Sequence, residues 1–136
     1  MTEQQIQIDW AALLKSAGPY PLNAFHFVRE GLGYTVQRIH EDLASRPEGE
    51  RHVSGQQLCL GLRDFAIQQY GMLAPTVLAH WKITRTDDFG RIVFAMIEAG
   101  LMSKTDQDSL EDFRAVFDFH EAFGRPELET HIGRSD

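Results

Sequence analysis

Cysteine is almost absent from this chain of 136 residues, in which Cys59 is the only one. A single cysteine cannot form a disulfide within the chain, and it cannot supply the several thiolates of a structural zinc site. A secreted fold held together by disulfides is therefore excluded. We expect a buried, unreactive thiol, because free cysteine is among the most buried residue types.

Long hydrophobic runs are missing as well. No stretch approaches the roughly 18 apolar residues that a membrane-crossing helix needs. The opening segment, MTEQQIQIDW, lacks the basic and then apolar pattern of a signal peptide. We therefore expect a cytoplasmic protein that does not bind membranes.

The common signatures of enzymes and metal sites are also lacking. The chain has no Walker loop and no GxSxG motif, and its six histidines show no HExxH spacing. No catalytic residue, metal site or cofactor is predicted. An enzyme of unrecognised type stays open as an alternative, and it would need a pocket that gathers residues such as His52, Arg63 and Asp64.

Basic residues are scarce at the C-terminal end. Residues 1–104 contain 10 basic and 11 acidic side chains, whereas residues 105–136 contain 3 basic and 9 acidic ones, within a net charge of −7. This end would repel a phosphate backbone, so nucleic-acid binding is not expected without a local basic face.

The acidic residues near the start of that region do not match a calcium site. They are Asp106, Asp108, Glu111 and Asp112. A calcium-binding EF-hand loop that began at Asp106 would need glycine at position 111 and glutamate at position 117, which are Glu111 and Phe117 here. Helix capping and solvation are the expected roles of these carboxylates.

What the sequence does contain is apolar residues, 43% of the chain, arranged with helical spacing. We predict a mainly α protein with one domain over residues 1–136, about five helices, and frayed ends at 1–8 and 125–136. The capping and stop signals of these helices are Asp9, Gly18-Pro19, Ser54, Gly71, Pro75, Thr86 and Gly100. The predicted core contains Phe25, Val28, Leu32, Val36, Ile39, Leu62, Phe65, Ile92, Val93 and Met96.

The second helix carries a second apolar face. Phe27 and Tyr34 lie seven residues apart, opposite the main stripe, and Gly31 between them would let another helix approach closely. The partner could be the first helix, through Trp10 and Leu14, or another molecule. We predict a protein partner or a homodimer that binds through this face.

The order of elements in the C-terminal half is that of a winged helix-turn-helix. The third, fourth and fifth helices are followed by GLMSK, and residues 101–104 and 115–119 could pair as the wing, a small β-hairpin. In that alternative the fifth helix reads DNA, and the basic residues nearby are Lys82, Arg85, Arg91 and Lys104. Against it, Asp87 and Asp88 open this helix.

Phe94 lies on the outward flank of the fifth helix. It could be an apolar contact for another protein, because exposed aromatic residues are common anchors. Packing beneath the C-terminal hairpin is the favoured alternative, since most phenylalanines are buried.

Residues 24–123 resemble a family of uncharacterised proteins found mainly in Planctomycetes and Verrucomicrobia. The stretches that carry the resemblance are FVREGLGYTV, RHVSGQQLCLGLRDFAIQQYG, VLAHWKI, TDDFGRIVFAMIEAGLMSK and DSLEDFRAVFDFHEAF. The family carries no activity or catalytic residue that could be transferred. Where the family leads us to expect Trp-Gly-Ile after the fourth helix, this chain has Trp81-Lys82-Ile83.

These observations favour a non-catalytic protein-interaction or regulatory domain. The alternatives are a winged-helix DNA-binding regulator and an enzyme of unrecognised type.

Overall fold

The computed structural model describes residues 2–3, 10–16, 18–42 and 53–124. The fold is mainly α, as the sequence predicts. Its helices are α1 (Trp10–Ser16), α2 (Leu22–Asp42), α3 (Gly55–Tyr70), α4 (Ala74–His80), α5 (Thr86–Glu98) and α6 (Phe119–Ala122). Two 3₁₀ turns cover Gly71–Leu73 and Leu110–Phe113, and the strands are β1 (Thr2–Glu3) and β2 (Met102–Ser103). None of the described helices is both long enough and apolar enough to span a bilayer.

The ends of α3 and α4 agree with the local signals in the sequence. The Ser54 hydroxyl accepts a hydrogen bond from the Gln57 amide at 3.1 Å, and the Gln57 side chain accepts one from the Ser54 amide at 2.9 Å. This reciprocal pair is a capping box. Pro75 lies in the first turn of α4, where a missing N–H costs nothing.

Helices α4 and α5 end in the same way. After α5, Gly100 has φ +81°, the Gly100 amide donates to Ile97 O, and the Leu101 amide donates to Met96 O. After α4, Lys82 has φ +66°, the Lys82 amide donates to Ala79 O, and the Ile83 amide donates to Leu78 O. Both are Schellman motifs, which favour glycine at the residue with positive φ. The tight turn that usually contains glycine at this position therefore forms here with Lys82 as the residue of positive φ.

The start of α5 differs from the prediction. Thr86 is the first helical residue rather than the cap, and its hydroxyl donates a 2.7 Å hydrogen bond to Phe113 O. Asp88 satisfies the helix start instead, because its Oδ2 accepts from the amides of Thr84 and Arg85 at 2.9 and 3.1 Å.

The predicted hairpin is wrong in its pairing. Strand β2 forms where expected, but it pairs antiparallel with β1, with Thr2 opposite Ser103 and Glu3 opposite Met102. The other proposed strand, residues 115–119, is a turn followed by α6, because Asp118 caps that helix by accepting from the Glu121 amide at 3.1 Å. This cap overrides the strand propensity of the Val and Phe residues.

Strand β1 also lies within residues 1–8, for which fraying is expected. The expected fraying of residues 125–136 concerns a segment outside the described residues.

The core is built on the packing of α2 against α3. A Cβ at Gly31 would lie 2.2 Å from Leu62 Cδ2, and a Cβ at Gly61 would lie 1.9 Å from Thr35 Oγ1. Each helix therefore uses a glycine to admit a side chain of the other. Of the ten predicted core residues, eight are buried, and Val36 and Ile39 are half-buried near the end of α2.

Candidate functional site

The predicted second face of α2 packs within the chain. Phe27 is only 3% exposed. The centroid of its ring lies 5.4 Å from that of Phe65 and 5.5 Å from that of Trp81. Tyr34 is half-buried, with its ring 5.2 Å from Phe65. Gly31 does permit close helix packing, but the helix that approaches is α3 of the same chain. Phe27 is therefore buried against α3 rather than presented to a second molecule, and a homodimer stays a prediction.

The 3₁₀ turn Gly71–Leu73 displays apolar side chains to solvent. Met72 is 52% exposed and Leu73 is 64% exposed. Gly71, at φ +55°, makes the bend that ends α3. We call Gly71–Leu73 the apolar turn.

The apolar turn directly follows a cluster of packed aromatic rings. Tyr70, the residue before it, lies 6.4 Å from the Phe27 ring and 5.9 Å, edge to face, from the Trp81 ring. Met72 and Leu73 were not among the contact residues predicted from the sequence. A signal was present, because two large apolar residues stand between a turn glycine and Pro75, where polar residues are usual.

Phe94 is half-buried on the outward side of α5. Its ring meets Phe113 edge to face at 6.3 Å, and the Lys104 ammonium lies 5.6 Å from its centroid. Phe113 belongs to the 3₁₀ turn Leu110–Phe113 and is fully buried. A Cβ at Gly90 would lie 2.7 Å from Phe113 Cβ, so this turn packs directly on α5.

Asp88 organises the entrance to α5 and is 5% exposed. Its Oδ1 accepts hydrogen bonds from the Tyr20 hydroxyl at 2.5 Å and from Arg91 at 3.4 Å. Burial, and then the hydrogen bond to Asp88, raise the pKa of Tyr20 to about 12. The carboxylate therefore ties the segment between α1 and α2 to α5.

The structure places the basic residues of the DNA-binding alternative in three local settings. Arg85 and Arg91 line a common cleft at the start of α5, together with Arg114, which the sequence analysis did not single out. Lys104 lies instead over the Phe94 ring, and Lys82 is exposed in the turn after α4. Folding brings Arg114 next to Arg85 because the segment after the Leu110–Phe113 turn crosses the first turn of α5.

Two of the four carboxylates near the C-terminal end accept hydrogen bonds from backbone amides, which agrees with the expected capping role. Asp108 accepts from the Thr105 amide at 2.9 Å, and Asp112 accepts from the Ser109 amide at 3.0 Å. Within the described ranges no three His, Cys, Asp or Glu side chains are grouped so that they could hold a metal ion.

Cys59 is fully buried, and burial followed by the charge of Asp87 raises the pKa of its thiol to about 12. It is therefore the unreactive thiol that the sequence predicts.

The residues suggested for an unrecognised enzyme are only partly described. Arg63 and Arg38 both approach the Asp64 carboxylate, at 3.1 and 3.4 Å. His52 lies outside the described residues. Ion pairing accounts for the geometry of this group.

Comparison with known proteins adds no functional assignment: no protein-family model, curated protein or solved structure matches the chain. Membership of the family named above stays a prediction.

Proposed function

We propose that this protein is a non-catalytic interaction domain that binds another protein through the apolar turn. The supporting observation is the adjacent exposure of Met72 and Leu73 on a turn that directly follows Tyr70, whose half-buried ring packs against Phe27 and Trp81. Exposed apolar side chains gain free energy when a partner removes them from water, and methionine adapts its shape to the surface it meets.

The location of these two residues sets them apart from other exposed apolar residues. Scattered single apolar side chains are normal on protein surfaces. Leu22, Leu60 and Leu110 are of that kind, each in a different element. Met72 and Leu73 are consecutive and project from a connection between helices, where loops commonly carry binding residues.

The DNA-binding alternative has less support. The Leu110–Phe113 turn packs over Gly90 and Phe94 of α5, which is the helix that would enter the major groove. A wing hairpin does not form among residues 101–124, because β2 pairs with β1. The net charge of −7 also opposes binding to phosphates.

The test compares two variants in which serine replaces exposed apolar residues at different places on the surface. The double variant Met72→Ser/Leu73→Ser removes the anchors, and Leu22→Ser removes an exposed leucine at the start of α2. Both should melt close to the wild-type temperature, because surface changes cost about 0.5 kcal/mol or less.

Each protein is coupled to resin and used to isolate binding proteins from the native host, and each candidate is then purified and its affinity measured. We expect the wild type and Leu22→Ser to bind the same protein, and the double variant to bind it at least about tenfold more weakly. Equal affinity for the double variant, or no partner with Kd below about 100 μM, would overturn the proposal.

A further inference from the structure

A cleft at the start of α5 has the size of a small-molecule site. Two adjoining hollows, about 410 and 360 Å³, share Arg85, Asp87 and Arg114. Each lies within the range of about 300 to 1,000 Å³ that ligand pockets occupy. We call the combined space the Arg85 cleft.

One end of the Arg85 cleft is lined by three guanidinium groups. Arg91 contacts Asp88 at 3.4 Å, and Arg114 contacts Glu111 at 3.6 Å between two exposed side chains. Arg85 is exposed and forms no ion pair with any described residue. Guanidinium groups bind phosphate and carboxylate through paired N–H donors, so this end suits an anion.

Three carboxylates line the cleft and each already has a partner, that of Glu111 being Arg114. Asp87 Oδ1 accepts from the Ala115 amide at 3.3 Å, and Asp118 caps α6 by accepting from the Glu121 amide at 3.1 Å. These bonds hold the Asp87 and Asp118 carboxylates against the backbone, whereas the Arg85 guanidinium donates to no carboxylate among the described residues.

The other end of the Arg85 cleft is aromatic. Phe117 and Phe119 line it, with their rings stacked at 5.4 Å and 18°. Phe123 lies against both rings, at 6.1 and 5.2 Å, and Phe119 also contacts Phe89 at 5.8 Å. The two half-buried rings are therefore held by other rings and line this end of the cleft with apolar atoms.

The loop between the two ends is held in a costly conformation. Ala115 has φ +47°, a region that disfavours residues with a side chain. The Thr86 hydroxyl accepts from the Val116 amide at 3.1 Å and donates to Phe113 O at 2.7 Å, which fastens the loop to α5. Strain of this kind persists where the surrounding structure fixes it, and it is concentrated at binding sites.

We propose that the Arg85 cleft binds a small aromatic anion. The flat ring lies against Phe117 and Phe119, and the phosphate or carboxylate group is held by Arg85, Arg91 and Arg114. This site is separate from the apolar turn, and neither proposal depends on the other.

The test measures the affinity of the full chain for simple probes by titration calorimetry and NMR. Phenyl phosphate and benzoate carry both a ring and an anion, inorganic phosphate carries only the anion, and phenol carries only the ring. We expect phenyl phosphate or benzoate to bind with Kd of about 1 mM or tighter, and inorganic phosphate and phenol to bind at least about fivefold more weakly than the better of these two. Comparison of phenyl phosphate with benzoate identifies the preferred anionic group.

Variants locate the site. Arg85→Gln/Arg91→Gln should weaken binding of the better probe at least about fivefold, and Phe117→Leu should weaken it while leaving inorganic phosphate unaffected. Arg38→Gln, which changes an exposed arginine on α2, is the control and should bind as the wild type does.

Four results would overturn the proposal. The first is that neither aromatic anion binds at about 10 mM, and the second is that inorganic phosphate binds as tightly as the better aromatic probe. The third is that the double arginine variant binds this probe as the wild type does, and the fourth is that Arg38→Gln loses as much affinity for it as the double variant.

Discussion

Tyr20 and Asp88 are 68 residues apart in the chain, and a single hydrogen bond joins them beneath the start of α5. Asp88 also accepts from two backbone amides, so its side chain closes the helix end and fixes a distant segment at once. Because such groups act together, the effects of their substitutions on the free energy of unfolding should not be additive.

We predict a coupling of about 0.5 to 3 kcal/mol between Tyr20→Phe and Asp88→Ala. Tyr20→Phe should lower the free energy of unfolding by about 1 kcal/mol, and Asp88→Ala should lower it by more, because the amides of Thr84 and Arg85 then lose their acceptor. Denaturant unfolding of the wild type, both single variants and the double variant measures the coupling. Additive losses would contradict the prediction.

Two buried groups make stability sensitive to alkaline pH. The pKa of Tyr20 rises from 10.0 to about 12 and that of Cys59 from 9.0 to about 12, chiefly because burial disfavours the charged forms. The unfolded chain therefore releases these protons at lower pH than the folded chain does. The stabilisation from Cys59 is complete below pH 9.0 and that from Tyr20 below pH 10.0, and both are lost as pH rises toward 12.

We expect the free energy of unfolding to fall between about pH 9 and about pH 12, the span between the ordinary and the raised pKa values. The fall should be smaller in Tyr20→Phe and in Cys59→Ala than in the wild type, because each variant lacks one of the titrating groups. Denaturant unfolding at several pH values tests this. A slope that neither substitution changes would show that other groups control the alkaline limit.

At the scale of elements, α2 contains two glycines with opposite roles. A Cβ at Gly31 would collide with Leu62 of α3, whereas Gly33 faces open space and is exposed. We expect Gly33→Ala to raise the free energy of unfolding by about 0.5 to 1 kcal/mol, because alanine is the better helix former.

Gly31→Ala should lower the free energy of unfolding by about 1 to 3 kcal/mol, because Leu62 must move. Gly31→Ala and Gly33→Ala serve as controls for each other, since both replace glycine by alanine in the same helix. Equal effects would mean that α2 and α3 do not cross at Gly31.

The turn between α4 and α5 offers a stabilising substitution. Lys82 has φ +66°, and glycine adopts this conformation without a penalty from Cβ. We predict that Lys82→Gly raises the free energy of unfolding by about 1 kcal/mol. Ala99→Gly, at φ −81° beside the equivalent turn after α5, should instead lower it. Thermal melts of the two variants compare the effects directly.

At the scale of the whole molecule, charge opposes nucleic-acid binding. Association with a duplex depends on neutralising phosphates, and the chain carries a net charge of −7. We expect no salt-sensitive binding to a random duplex at micromolar protein and about 100 mM salt, measured by fluorescence anisotropy. A signal that disappears as salt rises would restore the DNA-binding alternative.

The binding surfaces show where sequence reasoning stopped. Phe27, Tyr34 and Phe94 stood out because their spacing placed them off the main apolar stripes, yet the first is buried and the other two are half-buried. Met72 and Leu73 did not stand out, because periodicity describes helices and says little about a 3₁₀ turn. Arg114 could not be assigned to the same cleft as Arg85, since only folding brings them together.

The sequence by itself determined the mainly α fold, the five larger helices, most of the core and the ends at Ser54, Pro75 and Gly100. These features follow from apolar spacing and capping chemistry within a few neighbouring residues. The tertiary structure alone decided that α3 covers the second face of α2, that β2 pairs with β1, and that residues 115–119 turn across α5. Local patterns leave those choices open because they depend on contacts between residues far apart in the chain.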